Sequence, residues 1–229
     1  MIHRASHLLS AGALLLCSAA AWADRPLVSE TADVIGAGAC QIETGLARLA
    51  ASGTPSARLA DVLGSCGIAG HSQLGISLGS VRQAGATDLS VGLGGKTTLK
   101  MPQDGAIGYA LAYGIGSEKA SGRGWRHGST RLFGVATKEL TRALLGHLNL
   151  GWVRTERDRL NRTTWSLGME GEGGLRWAAD VFGDDRARPW ASAGLLFPLA
   201  DKISASLAYA QQFERPRVRQ WTLGFKFEL

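Results

Sequence analysis

From about residue 38 to the last residue, apolar and polar side chains take turns along stretches of ten to twelve residues, each closed by a turn or a polar loop. The final stretch shows it best. Trp221, Leu223, Phe225, Phe227 and Leu229 fall on one face, and Gln220, Thr222, Gly224, Lys226 and Glu228 fall on the other. A period of two marks a strand with one apolar and one wet side. The same alternation runs through Ile203–Tyr209, Trp177–Val181, Trp165–Met169, Leu148–Trp152, Tyr109–Ile115, Leu89–Leu93 and Leu74–Leu78. It predicts about twelve strands (ten to twelve), near 39–50, 56–66, 73–83, 88–99, 105–115, 129–140, 144–154, 163–171, 174–183, 188–199, 202–213 and 218–229, with ends good to about two to four residues.

The connections decide between a two-sheet sandwich and a closed barrel. With both termini on one side, the odd-numbered connections point the other way. They include 116–128, 155–162, 183–188 and 214–217, which are long and charged, whereas 141–143, 171–173 and 200–201 on the opposite side are short. The first half sorts less cleanly, because 84–87 is short and 100–104 is no shorter. Long loops outside and short turns inside are the pattern of an outer-membrane barrel, and lipid tolerates no open sheet edge. The expected fold is therefore all-β: a closed antiparallel transmembrane β-barrel. Centring the first hairpin at Gly53 sets Cys40 directly across from Cys66, where a disulfide can form, and sends Glu43 and Asp61 inward together.

Composition agrees with this reading. The chain has 31 Gly and only 6 Pro, 45% hydrophobic and 19% charged residues, and a mean hydropathy of +0.01. That is too polar for a bundle of membrane helices and too apolar for a disordered chain, but it suits a barrel whose polar lumen offsets its belt. Residues 1–23 read as a signal peptide: Arg4, an apolar run from Leu8 to Ala21, and the small-x-small site Ala21-Trp22-Ala23. Its removal leaves a net charge of +5 and two cysteines, Cys40 and Cys66, and export favours pairing them. The expected organisation is a signal peptide (1–23), a periplasmic N-terminal segment (24–38) that can tuck under or into the barrel, and the barrel itself (39–229) in the outer membrane of a Gram-negative bacterium. The terminal stripe Trp221, Leu223, Phe225, Phe227 and Leu229 serves as the membrane-insertion signal for the barrel-assembly machinery.

Inward parity falls to Glu43, Asp61, Lys96, Lys138, His147, Asn149, Glu170, Arg176, Asp180, Gln220, Lys226 and Glu228. These are the candidate lumen-lining residues. They either sort solutes by charge or neutralise one another as filler, and their mixed signs weigh toward filler. Small inward residues such as Gly75, Gly79, Gly92 and Gly94 leave room for a narrow pore or cavity.

Enzymatic chemistry has two footholds. His147, Asn149 and Ser166 face one interior, where a lipid substrate would not reach. His127-Gly128-Ser129 at the outer rim resembles the His-x-Ser pair of lipid A deacylases, on the lipid-facing parity. Glu139, the next acid, is ten residues further along the same strand, roughly 33 Å away, and no Gly-x-Ser-x-Gly elbow occurs. No catalytic residue is assigned. The GLGGKTT stretch at 92–98 lacks the phosphate-loop spacing and continues the strand alternation. No His, Cys or carboxylate spacing suggests a metal, and no cofactor is expected. Arg123, Arg126, Arg131, Arg154, Arg157, Arg159 and Arg162 cluster in and beside loops. In an exported chain they face lipopolysaccharide or water, and no nucleic acid is expected.

Residues 25–33 (RPLVSETAD), Gly36-Ala37-Gly38, Gln41–Gly45, Phe182–Asp185 and Arg188-Pro189-Trp190 resemble the outer-membrane proteins linked to meta-pathway phenol degradation. The resemblance implies an outer-membrane β-barrel passing small or aromatic organic solutes, and it assigns no functional residues. The leading expectation is a passive pore or uptake channel with a small-molecule solute as partner, seated in outer-membrane lipid and lipopolysaccharide. The alternative is a structural or ligand-binding barrel with a plugged lumen, and a barrel enzyme acting on lipid ranks behind both.

Overall fold

The computed structural model describes residues 27–103, 105–213 and 217–229; the signal peptide expected at residues 1–23 lies outside them. Twelve strands follow one another: β1 (Cys40–Ala51), β2 (Thr54–Ile68), β3 (Ser72–Gln83), β4 (Ala86–Lys100), β5 (Gly108–Lys119), β6 (Arg126–Thr141), β7 (Leu144–Thr155), β8 (Leu160–Gly173), β9 (Leu175–Asp184), β10 (Trp190–Ala200), β11 (Ile203–Gln212) and β12 (Val218–Glu228). Each pairs antiparallel with its neighbours, and β12 returns to β1 from Gln41↔Glu228 to Ala51↔Val218, closing the barrel. Closure satisfies every edge that lipid would otherwise leave bare.

Side-chain parity survives the full circuit. The apolar positions read from the sequence stand outward and exposed: Leu46, Ile76, Leu78, Ile115, Leu150, Leu167 and Trp221 are all more than half exposed. A closed barrel with this greasy exterior is a transmembrane one. The first hairpin has the expected register, Cys40 opposite Cys66, and the two sulfurs are bonded.

Several boundaries differ from the expectation. β5 runs on to Lys119 and β6 starts at Arg126, so the predicted 116–128 loop shrinks to residues 120–125. Arg126 Nη2 reaches Glu118 Oε1 at 2.6 Å across the two strands and extends the pairing. β8 likewise begins at Leu160 rather than near 163. The β3–β4 connection is a two-residue turn, Ala84-Gly85, with both residues at positive φ (49° and 83°), as right-twisted hairpins require.

The described residues before β1 run from the rim into the barrel. Ala37 bridges Gly67 in parallel at the mouth that carries the chain ends. From there the backbone climbs into the lumen, and Leu27, Ser29, Glu30, Thr31 and Ala32 are buried. Towards the opposite mouth one side of the interior is apolar: Leu49, Ala57, Leu59, Phe182, Trp190 and Ala210 pack together with Val28 against them, and Phe182 and Trp190 stack at 6.2 Å.

Candidate functional site: the lumen and the segment within it

The extended backbone of residues 28–35 cannot bond to itself, so the wall must satisfy it. Asp180 Oδ2 accepts the Val28 N–H (2.5 Å) and the Ser29 N–H (3.2 Å), while Ser192 Oγ donates to Asp180 Oδ1. Asn149 pairs with Glu30 as a strand would: Oδ1 accepts the Glu30 N–H (2.6 Å) and Nδ2 donates to the Glu30 carbonyl (3.0 Å). Lys96 Nζ meets Glu30 Oε2 (3.2 Å) and the Thr31 carbonyl (3.0 Å). Thr98 Oγ1 donates to the Ala32 carbonyl (2.6 Å), Thr137 Oγ1 accepts the Ala32 N–H (2.8 Å), and Gln73 Oε1 accepts the Ile35 N–H (2.9 Å). Five strands (β3, β4, β6, β7 and β9) thus hold one segment through its main chain.

Two glycines shape the passage. A Cβ on Gly67 would stand 2.1 Å from the Gly36 carbonyl oxygen and 2.2 Å from that of Ile35, and a Cβ on Gly168 would stand 2.7 Å from Ser29 Oγ and 2.8 Å from Ser29 Cβ. The wall is notched where the segment enters and where it passes mid-depth.

The sequence-derived lumen residues sort into three groups. Lys96, Asn149 and Asp180 hold the segment directly. His147 stands behind them, its Nδ1 3.1 Å from Thr137 Oγ1 and its Nε2 3.5 Å from Glu170 Oε1. The Thr137 hydroxyl thus joins His147 to the segment, since it also accepts the Ala32 N–H. A second group sits at the mouth carrying the termini: Gln41 Nε2 donates to Glu43 (2.7 Å), Lys226 lies opposite Glu43 in register and 3.9 Å from Glu228, and Arg176 pairs with Glu172 at 2.8 Å. Asp61 and Gln220 form the third, inward on β2 and β12; Gln220 Nε2 donates to Thr222 Oγ1.

Lys138 is corrected. It pairs with Gly146, one step out of phase with inward Thr137 and His147, and stands exposed on the outward face near the strand end. There its long stem can lie on apolar surface while the ammonium reaches water. The residues that local reading missed are Glu30, Gln73, Thr98, Thr137 and Ser192. The last four share inward parity with the predicted set and were legible as polar lumen positions; nothing local marks Glu30.

Neither hydrolase foothold forms a nucleophile–base pair. A bulge at Gly128 pairs Gly116 with Ser129 but Ser117 with His127, so Ser129 turns inward and His127 outward. His127 Nε2 lies 3.1 Å from Thr130 Oγ1 instead. Within the lumen, Ser166 Oγ donates to Asn149 Oδ1 at 2.9 Å, and Asn149 is committed to Glu30. Among the described residues, no three His, Cys, Asp or Glu side chains gather as a metal site.

A family model matches residues 11–227, nearly the whole chain. The chain belongs to the family described as Uncharacterised conserved protein UCP029691. No curated protein matches it. Among solved structures it is similar to the KdgM porin in complex with disordered oligogalacturonate, at 9% identity and a TM-score of 0.60 over 82% of this chain and 98% of that one. The NanC porin follows at 11% identity and a TM-score of 0.57, over 82% of this chain and all of that one. The outer membrane phospholipase A from Escherichia coli matches at 12% identity and a TM-score of 0.52, over 90% and 93%. At these identities the likeness is one of fold, and pores and an enzyme share that fold, so function has to be argued from the lumen.

Proposed function

We propose that this family member is an uptake channel of the Gram-negative outer membrane for small molecules, held shut in the state described by residues 27–36. The observation that carries this reading is the asymmetry of the interior. Toward the mouth opposite the chain ends, inward Ser77, Gly79, Ser90, Gly92 and Gly116 are small and only half-buried, which supports a solute path along β3–β5. Toward the other mouth the path meets the segment. Hydrogen bonds and ionic contacts such as Lys96–Glu30 hold that segment, and no disulfide ties it to the seat, so it can leave and return.

The resemblance to phenol-degradation proteins supports a small aromatic solute, and the apolar lumen cluster around Phe182 and Trp190 is compatible with one. Export through residues 1–23, insertion by assembly machinery that reads the Trp221–Leu229 stripe, and a lipopolysaccharide surround belong to the same proposal. No catalytic role is proposed, since neither serine has a base within reach.

Planar-bilayer conductance of the refolded mature protein and of a variant lacking residues 24–36 tests the reading. The variant should conduct severalfold more. If it shows the heat-sensitive gel mobility of a folded barrel yet passes no ions, the protein is a plugged structural or binding barrel and the channel is refuted.

A further inference from the structure

Arg48 pairs with Arg58 across β1 and β2, and Arg58 with Arg82 across β2 and β3, so three guanidinium groups form one row across three strands. All three are exposed and share the outward face with Leu46, Val62 and Leu78 of the apolar belt. Arg219 joins them on the outward face of β12, opposite Ala50. Directly opposed side chains in an antiparallel sheet lie about 5 Å apart, and like charges there work against pairing.

Several arginines elsewhere in the barrel are paired with carboxylates. Arg126 meets Glu118, Arg154 meets Glu156, Arg157 meets Asp88 at 3.4 Å, and Arg162 meets Asp158 and Asp184. Arg48, Arg58, Arg82 and Arg219 make no ion pair with a described residue, and no Asp or Glu stands on the outward face of β1, β2 or β3. Among the described residues nothing offsets the row, which leaves it open to an anion from outside the chain.

Its level in the membrane says what that is. The row stands one pleat repeat, about 7 Å, beyond Leu46, Ala60 and Ser80, which pair with one another in register, and the apolar belt continues below at Val62 and Leu78. Trp221 pairs with Arg48, and Tyr209 packs against Trp221 at 4.8 Å. Aromatic side chains at the edge of an apolar belt mark the headgroup layer. A guanidinium grips phosphate oxygens through paired N–H donors.

We infer that Arg48, Arg58 and Arg82, flanked by Arg219, form a binding site for the phosphate groups of an anionic lipid in the outer leaflet, whose acyl chains lie along Leu46, Val62 and Leu78. This rests on the outer-membrane reading above, because the row must sit at headgroup depth.

The test is native mass spectrometry of the detergent-solubilised mature protein titrated with bisphosphorylated lipid A, with the same lipid stripped of its phosphates, and with inorganic phosphate. The wild-type barrel should retain one bisphosphorylated lipid. The R48Q/R58Q/R82Q variant should bind it at least tenfold more weakly, whereas R142Q, at a distant turn, should bind it as wild type does. Added salt should weaken the interaction, since exposed charges are screened. Equal binding by the triple variant, or by the dephosphorylated lipid, overturns the site. Displacement of the lipid by equimolar inorganic phosphate overturns the assignment to lipid. Should the triple variant not fold, R58Q alone, which removes the middle charge, should still lose severalfold. Conductance of the triple variant should be unchanged, so loss of lipid binding and loss of channel activity are read separately.

Discussion

Gly168→Ala is the sharpest single test of the closed lumen. The added methyl would lie 2.7 Å from Ser29 Oγ, 2.8 Å from Ser29 Cβ and 3.5 Å from Asp180 Cβ. Carbon atoms in contact prefer about 3.5–4.0 Å, so the overlap with Ser29 is near 1 Å, and it falls on an atom next to the backbone rather than on a flexible tip. Forcing one methyl into a packed site costs about 1–3 kcal/mol. The segment can escape that cost by leaving, whereas β8 cannot, because it is laddered on both sides to β7 and β9. Alanine also suits a strand better than glycine by roughly 0.5–1 kcal/mol. The wall should therefore hold while the ratio of open to closed barrels rises about 5- to 150-fold. Single-channel recording of the refolded mature protein reads this as longer open dwell times. Ser29→Gly supplies the control: Ser29 Oγ is buried with no hydrogen-bond partner, so removing it breaks no bond, and the S29G/G168A double variant should close again. Open times unchanged in Gly168→Ala, or not restored in the double variant, would refute the seat described here.

Other expectations follow from the same contacts. Asp180→Ala strips the acceptor from the Val28 and Ser29 amides and should favour the released segment by about 3 kcal/mol, seen as faster protease cleavage within residues 27–36 with the barrel intact. The exported, non-reduced protein should present no reactive thiol, and Cys40→Ser/Cys66→Ser should lower barrel stability by at most about 3.5 kcal/mol, the chain-entropy value for a loop of this length, read from unfolding in urea. Arg154 donates a hydrogen bond to Glu156 in the β7–β8 connection and holds its carboxyl below the ordinary value of 4.5. Any stability this adds is present above the unfolded pKa and fades as pH falls through the lowered one. Both groups are in water, so Glu156→Gln should leave the melting temperature unchanged.

Much of this protein is written in its alternation of side chains. Period two is a local property, and a strand buried in lipid on one face and wet on the other obeys it at almost every step. That is why the strand count, the closure, the outward stripe at Trp221–Leu229 and the Cys40–Cys66 register are all legible in the sequence alone. Alternation fails where one residue is added or the phase is misjudged. The bulge at Gly128 separates His127 from Ser129 onto opposite faces, and Lys138 stands one step out of phase with its inward neighbours. Only the tertiary structure could show that Val28 reaches Asp180, 152 residues away, and that Glu30 reaches Asn149, 119 residues away. A short polar segment carries no period that announces its partner, and its place is chosen by which walls, once closed into a tube, can satisfy its main chain.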